Sequence, residues 1–416
     1  MNSSRLSNFY VRSGLFGVLS IIGALFNYSL YPVLVHILNT QNFGDFAVIA
    51  ALSNQLLGVL LAFNIISIYL VKTQSEEKAR SHAQIIQKTL IWLFLLATVL
   101  ILIASHFLNH LLKVQHVSSF LVLALILLAA VPGVIWTGYL QGHKELVRVG
   151  GFNLVAALGK LILATLLALK LGTIGGLLGM LGGAVIGLIF LWFIPGVKLP
   201  KLSSLFSKSD PEERQFLFSL KKYFLECLVV VGVLGFLQNY DITLAKVLFS
   251  PKAAGIYSGI SILSNALYYL CFLLIWIILP EIKINDPVTN HRILRTAYKL
   301  LGLLGIVVLV VELILKNSIA RLLLGSRFGG QGEVLIFATL YQLTLVALTL
   351  YAYYLLVTRR RQVALLAIAV TLSCAVLPLL FISTPLAMIR LLWLSLLVGL
   401  CIYWTLLKVV RRVNSR

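Results

Sequence analysis

The chain is short of charge, and shorter still of acid. Charged residues fill 11% of its 416 positions, where a soluble domain carries about a quarter. Only 13 aspartates and glutamates stand against 34 lysines and arginines. This poverty excludes an ordinary soluble fold and leaves few carboxylates for acid–base chemistry. Cysteine is also scarce. Cys227, Cys271, Cys374 and Cys401 fall in apolar runs at unrelated spacings. That excludes a disulfide framework and reads as four small buried hydrophobes. A phosphate loop of the Walker type is missing, which excludes ATP hydrolysis by that route. His106 and His110 have metal-ligand spacing and His116 is close by, yet no carboxylate or cysteine completes a set. Neither a metal nor another cofactor is expected. The first apolar run lacks a small-residue cleavage site, so no cleaved signal peptide is expected.

What the chain has is apolar sequence. Sixty per cent of it is hydrophobic, and the mean hydropathy is +1.01. Runs of roughly 20 apolar residues follow one another with short polar breaks, the pattern of a polytopic helical membrane protein. A membrane barrel would alternate in polarity over about ten residues. About twelve spans are expected, near 13–38, 43–71, 86–107, 118–140, 147–169, 173–195, 223–248, 254–280, 296–315, 331–357, 363–382 and 386–408. With the N-terminus inside, lysine and arginine crowd the inner segments and are sparse in the outer ones. Both termini are therefore expected in the cytoplasm. The same bias accounts for most of the net charge of +21. It marks contact with anionic lipid, not with nucleic acid.

The longest polar break, GVKLPKLSSLFSKSDPEERQFLFSLKK, splits the spans six and six. It predicts a six-helix lobe over 1–196, a cytoplasmic linker over 197–222 and a second six-helix lobe over 223–416. An internal repeat agrees. In GDFAVIAALSN and GIYSGISILSN, residues Gly44, Ile49, Leu52, Ser53 and Asn54 match Gly255, Ile260, Leu263, Ser264 and Asn265 at one offset. Both copies begin inside, so the repeat is parallel. The expected fold is an all-α polytopic membrane protein, two six-helix lobes related by a pseudo-two-fold axis, with a cavity between them.

Polar residues within the spans are the candidate site, because ionised groups in hydrocarbon are costly. At the repeat offset Asn27 matches Gln238 and Tyr28 matches Asn239, which places polar groups near the outer part of each lobe's first helix. Asp241 is either a carboxylate for ion or proton coupling or a hydrogen-bond acceptor between helices. Lys246, five residues on, is off the face for a helical pair and is expected to snorkel to the interface. Lys160 is the most central cation, and a lone lysine there costs about 3 kcal/mol on insertion scales. It reads as a contact for an anionic headgroup such as a lipid pyrophosphate, or as the partner of Asp241, Glu226 or Glu312. Asn54, Asn64, Asn265, Gln342 and Tyr341 are less specific, and asparagines often tie membrane helices together. Gly175, Gly179, Gly183 and Gly187 recur every four residues and predict close approach of another backbone. Pro32, Pro132 and Pro378 lie within spans, where proline is tolerated.

Three stretches carry a family resemblance: HILNTQNFGDFAVIAAL, NYDITLAKVLFSPKAAGIYSGISIL and IARLLLGSRFGGQGEVLIFATL. They resemble the first outer turn, the seventh and eighth helices, and the turn before the tenth helix of Wzx-type oligosaccharide flippases. These form the polysaccharide-transporter branch of the MOP superfamily. The resemblance implies a bacterial inner-membrane carrier. It would move undecaprenyl-diphosphate-linked oligosaccharide to the outer leaflet by alternating access, driven by an ion or proton gradient, alongside the glycan synthesis machinery. It makes Lys160 the candidate pyrophosphate contact; Asn27, Gln238 and Asn239, from their placement in the spans, are further substrate-binding candidates, and Asp241 is the candidate for ion coupling.

Two other readings compete. A multidrug exporter of the same superfamily would favour acidic groups in its cavity, of which this chain has few. A membrane enzyme of polysaccharide synthesis would need a large outer loop with acid–base or arginine-rich groups. The longest loop is cytoplasmic and lacks them.

Overall fold

A computed structural model describes residues 3–197, 211–278, 282, 286–357, 370, 373 and 384–414. Among these residues the regular structure is entirely helical. The chain divides into two compact units, Met1–Leu225 and Glu226–Arg416.

The first unit opens with α1 (Ser3–Ile37) and α2 (Thr40–Thr73). The Asn39 side chain caps α2 by accepting from the Asn42 amide at 2.8 Å, which explains the abrupt turn in LNTQNF. Next come α3 (Glu76–Leu112), with two glutamates at its positive end, and α4 (Ser118–Gly142). α1 and α4 each run through their proline, Pro32 and Pro132. α5 (Leu146–Trp192) is really two limbs, 146–171 and 173–192, folded back at Gly172. That residue has φ 58° and ψ −133°, a backbone conformation only glycine adopts at low cost. α1 packs along α5, and α4 packs against α2, α3 and α5.

The glycine stripe closes this hairpin. A Cβ on Gly175 would lie 2.1 Å from the Leu167 carbonyl oxygen, and one on Gly179 would lie 2.1 Å from the Ala164 backbone. The close approach read from the spacing is therefore real, and its partner is the preceding limb of the same element.

α6 (Pro211–Gln238) begins in the first unit and ends in the second, which also holds α7 (Tyr240–Leu248), α8 (Pro251–Ile278), α9 (Pro287–Leu324), a 3-10 turn at Ser326–Phe328, α10 (Gly332–Val357) and α11 (Pro385–Asn414). α10 is its hub, packed by α8, α9 and α11. Two expectations shift here. Residues 211–222, expected as linker, already belong to α6, because Pro211 and the acids after it form a strong helix start. The single span expected over 223–248 is broken at Asn239, where α6 and α7 meet at a bend of 52°. Linker residues 198–210 and most of the expected span 363–382, including Pro378 and Cys374, lie outside the described residues.

Among the described residues eight helices are long and apolar enough to cross a membrane, nine if the bent pair counts as one. With α5 folded in two they match ten of the twelve expected runs; of the other two, 254–280 falls on α8 and 363–382 lies mostly outside the described residues. Their exposed faces are hydrocarbon-like, as at Ile103 and Phe107 of α3 and Ile314 of α9. Lipid is the solvent these faces fit. Cys271 is buried, while Cys401 lies on the exposed apolar face of α11. This is a multi-pass membrane protein.

Candidate functional site

Two polar centres stand out, one in each unit. In the first, Lys160 sits on the first limb of α5 and donates from Nζ to Asn27 Oδ1 of α1 at 2.8 Å. The packing beneath it is backbone against backbone. Gly183 leaves room for the Lys160 main chain, since a Cβ there would lie 2.7 Å from the Lys160 Cα. Gly23, one turn before Asn27, brings α1 equally near α5, with a built Cβ 3.3 Å from the Leu154 Cα. The stripe and the lysine, unconnected in the sequence reading, are thus one construction. Among the described residues no carboxylate pairs with Lys160. A neutral amide orients the ammonium but leaves its charge uncompensated, which suits it to receive an anion.

In the second unit, the break at Asn239 frees main-chain groups that a continuous helix would pair. α10 supplies the replacements. The Tyr341 hydroxyl donates to the Leu237 carbonyl at 2.6 Å, and Gln342 Nε2 donates to the Gln238 carbonyl at 3.2 Å. This is how a membrane helix tolerates interruption. Asp241 then falls in the first turn of α7, where the helix dipole favours a negative group. It is completely buried, at 0% exposure. Its Oδ2 accepts from the Tyr257 hydroxyl at 2.8 Å and the Ser261 hydroxyl at 2.5 Å, both on α8. Asn265, one turn further along α8, donates to Asn239 Oδ1 at 3.4 Å.

Several polar atoms around the break have no hydrogen-bond partner among the described residues. Asp241 Oδ1, Asn265 Oδ1 and Gln342 Oε1 are acceptors, and Gln238 Nε2 and Asn239 Nδ2 are donors. Buried groups of this kind are rare in finished cores. Their concentration around one buried carboxyl gives the chemistry of a site that takes up a proton, a small cation or water.

The structure therefore joins Asn27 to Lys160, and sets Gln238, Asn239 and Asp241 around one helix break, each bonded to a neighbouring helix. Lys246 does not snorkel. It is buried to 0% exposure, because short α7 packs against α8 and α11. Tyr257 and Ser261 were missed as site residues, although they lie four apart within the quoted GIYSGIS stretch. Tyr341 and Gln342 were undervalued; their signal is two adjacent polar groups within an apolar span. Asn64 is glue, donating to the Val134 carbonyl and the Thr137 hydroxyl across α2 and α4. His106 and His110 stack edge to face, and no cluster of three metal-ligating groups forms among the described residues.

No family model matches the sequence, and no curated protein matches it. Solved structures do. The chain is similar to the lipid II flippase MurJ in an inward closed conformation, at 14% identity and TM-score 0.71, covering 95% of this chain and 87% of that one. It is similar to an inward-facing multidrug resistance MATE family transporter of the MOP superfamily, at 14% identity and TM-score 0.67, over 94% and 95%. A MOP superfamily transporter from Pyrococcus furiosus, described as having a binding pocket of reversed polarity, matches at 14% identity and TM-score 0.54, over 98% and 95%. At such identities the likeness is one of fold: the chain has the two-lobe helical fold of the MOP-superfamily transporters.

Proposed function

We propose that the chain is a flippase for undecaprenyl-diphosphate-linked oligosaccharide, working by alternating access in a bacterial inner membrane. The observation that carries this reading is Lys160, a membrane-embedded cation held by a neutral amide with no carboxylate against it among the described residues. Such a group fits a pyrophosphate and repels a cationic drug. Asn27 positions it, and Gln238 and Asn239 are further substrate contacts. Asp241, with one carboxyl oxygen held and the other open, is the ion- or proton-coupling residue. In this reading both termini are cytoplasmic, 1–196 and 223–416 are the moving lobes, 197–222 links them, and glycan-assembling enzymes supply the substrate.

The test is leaflet translocation of a lipid-linked oligosaccharide in proteoliposomes. Lys160→Ala is expected to abolish it. Unchanged transport by that variant would remove the pyrophosphate role. A second reading, a cation-coupled drug antiporter, is favoured by the open Asp241 oxygen. It takes precedence if cationic dyes are transported and the lipid-linked sugar is not.

A further inference from the structure

Glu312 is a membrane carboxyl for which neither reading has a use. It lies on α9, whose other residues nearby, Val310, Val311, Leu313 and Ile314, are exposed hydrocarbon. Glu312 alone turns inward and is 7% exposed. Its Oε1 accepts from the Thr339 hydroxyl of α10 at 2.8 Å, and its Oε2 has no partner among the described residues.

The chain offers it a cation and does not use it. Lys316 is four residues on, the favourable order for a helical ion pair. Between them Leu315 leaves helical geometry, at φ −107° and ψ 15°, and Lys316 stays exposed. No other charge stands in. Glu333 of α10 pairs with Arg390, and Arg321 of α9 and Arg327 of the 3-10 turn make no ion pair with Glu312 among the described residues. α8 presents no charged group to it. An ionised carboxylate with one hydroxyl donor in hydrocarbon is poorly compensated, whereas the neutral acid keeps the Thr339 bond on its carbonyl oxygen and buries no charge. The non-helical Leu315 lies three residues away, near the end of the apolar span at Lys316.

We propose that Glu312 is a second proton-binding site, separate from Asp241, kept as the acid by its burial in hydrocarbon, oriented by Thr339 and exchanging its proton on the side of Leu315. The proposal stands whether the carrier moves lipid-linked sugar or another cargo.

Infrared spectroscopy of the full chain in lipid nanodiscs tests it. At neutral pH a protonated-carboxyl band is expected that moves with isotope-labelled glutamate and shifts on transfer to D2O. It should vanish in Glu312→Gln and survive in Asp241→Asn. Glu312→Asp, which keeps the acid, should carry the band from the glutamate label to the aspartate label, which decides the matter if Glu312→Gln does not fold. Dicyclohexylcarbodiimide gives a second readout. The carboxyl proton passes to a carbodiimide nitrogen as the oxygen bonds its central carbon, and the acyl group then migrates to nitrogen with no atom lost. The peptide containing Glu312 should gain that mass. A glutamate band absent at neutral pH, unmoved by D2O or still present in Glu312→Gln overturns the proposal.

Discussion

Gly183→Ala tests whether the glycine stripe builds the site or merely packs a hairpin. The new methyl carbon would stand 2.4 Å from the Lys160 Cβ, 2.7 Å from its Cα and 2.8 Å from the Ala156 carbonyl oxygen. Carbon atoms are comfortable at about 3.5 Å or more. The limbs of α5 must therefore part by roughly 1 Å. Overpacking of this kind costs about 1–3 kcal/mol. The same movement displaces Lys160 from Asn27, and a 2.8 Å bond stretched that far is no longer a hydrogen bond. The variant should melt below the parent in nanodiscs and translocate lipid-linked oligosaccharide poorly, with every charge still present. Two controls isolate the cause. Gly182→Ala meets only the Cδ1 end of Leu163, at 2.5 Å, a group that can rotate away. Gly17→Ala meets nothing within 4 Å. Both should fold and transport like the parent, and Gly17→Ala gains up to about 1 kcal/mol of helix propensity. Parental stability and transport in Gly183→Ala, or equal damage in Gly182→Ala, would refute the reasoning.

Two further outcomes follow from the break at Asn239. Tyr341→Phe removes the hydroxyl that donates to the Leu237 carbonyl and should cost about 1–3 kcal/mol, read as a lower melting temperature in nanodiscs. Asp241→Asn keeps an acceptor for Tyr257 and Ser261 but not the charge, so gradient-driven transport should stop while downhill exchange continues, measured with and without an imposed ion gradient.

The spans were legible because hydrocarbon imposes one requirement, about 20 apolar residues per crossing, and the chain meets it repeatedly. The turn between the spans 147–169 and 173–195 was legible from the gap between them, and the stripe from Gly175 to Gly187 as a close contact. That the contact would seat Lys160 was not, because spacing along one helix does not say which residue lies opposite. The break at Asn239 was hidden for a different reason. The run over 223–248 has neither proline nor a glycine at the bend to announce it. Its cause is distributed, since freed carbonyls are tolerated only because Tyr341 and Gln342 reach them from α10. Lys246 was misjudged because snorkelling assumes an open path to the interface, and α8 and α11 close it.

The repeat shows where the specific chemistry was added. Asn54 and Asn265 occupy matching positions and do matching work. Asn54 reaches Tyr31 of α1, while Asn265 reaches Asn239 at the start of α7. The scaffold is shared, but the charges are not. The positions matching Asp241 and Lys246 are Leu30 and Val35, both buried hydrophobes in an unbroken α1. A helix that buries two charged residues needs polar surroundings, and breaking it is one way to obtain them. Main-chain dipoles become available at the ends, and neighbouring helices must contribute donors. The first copy can stay continuous because its cation comes from elsewhere, from Lys160 on α5, and meets α1 only through an amide. The two units thus carry opposite electrostatic demands, an unpaired cation in one and an enclosed carboxyl in the other.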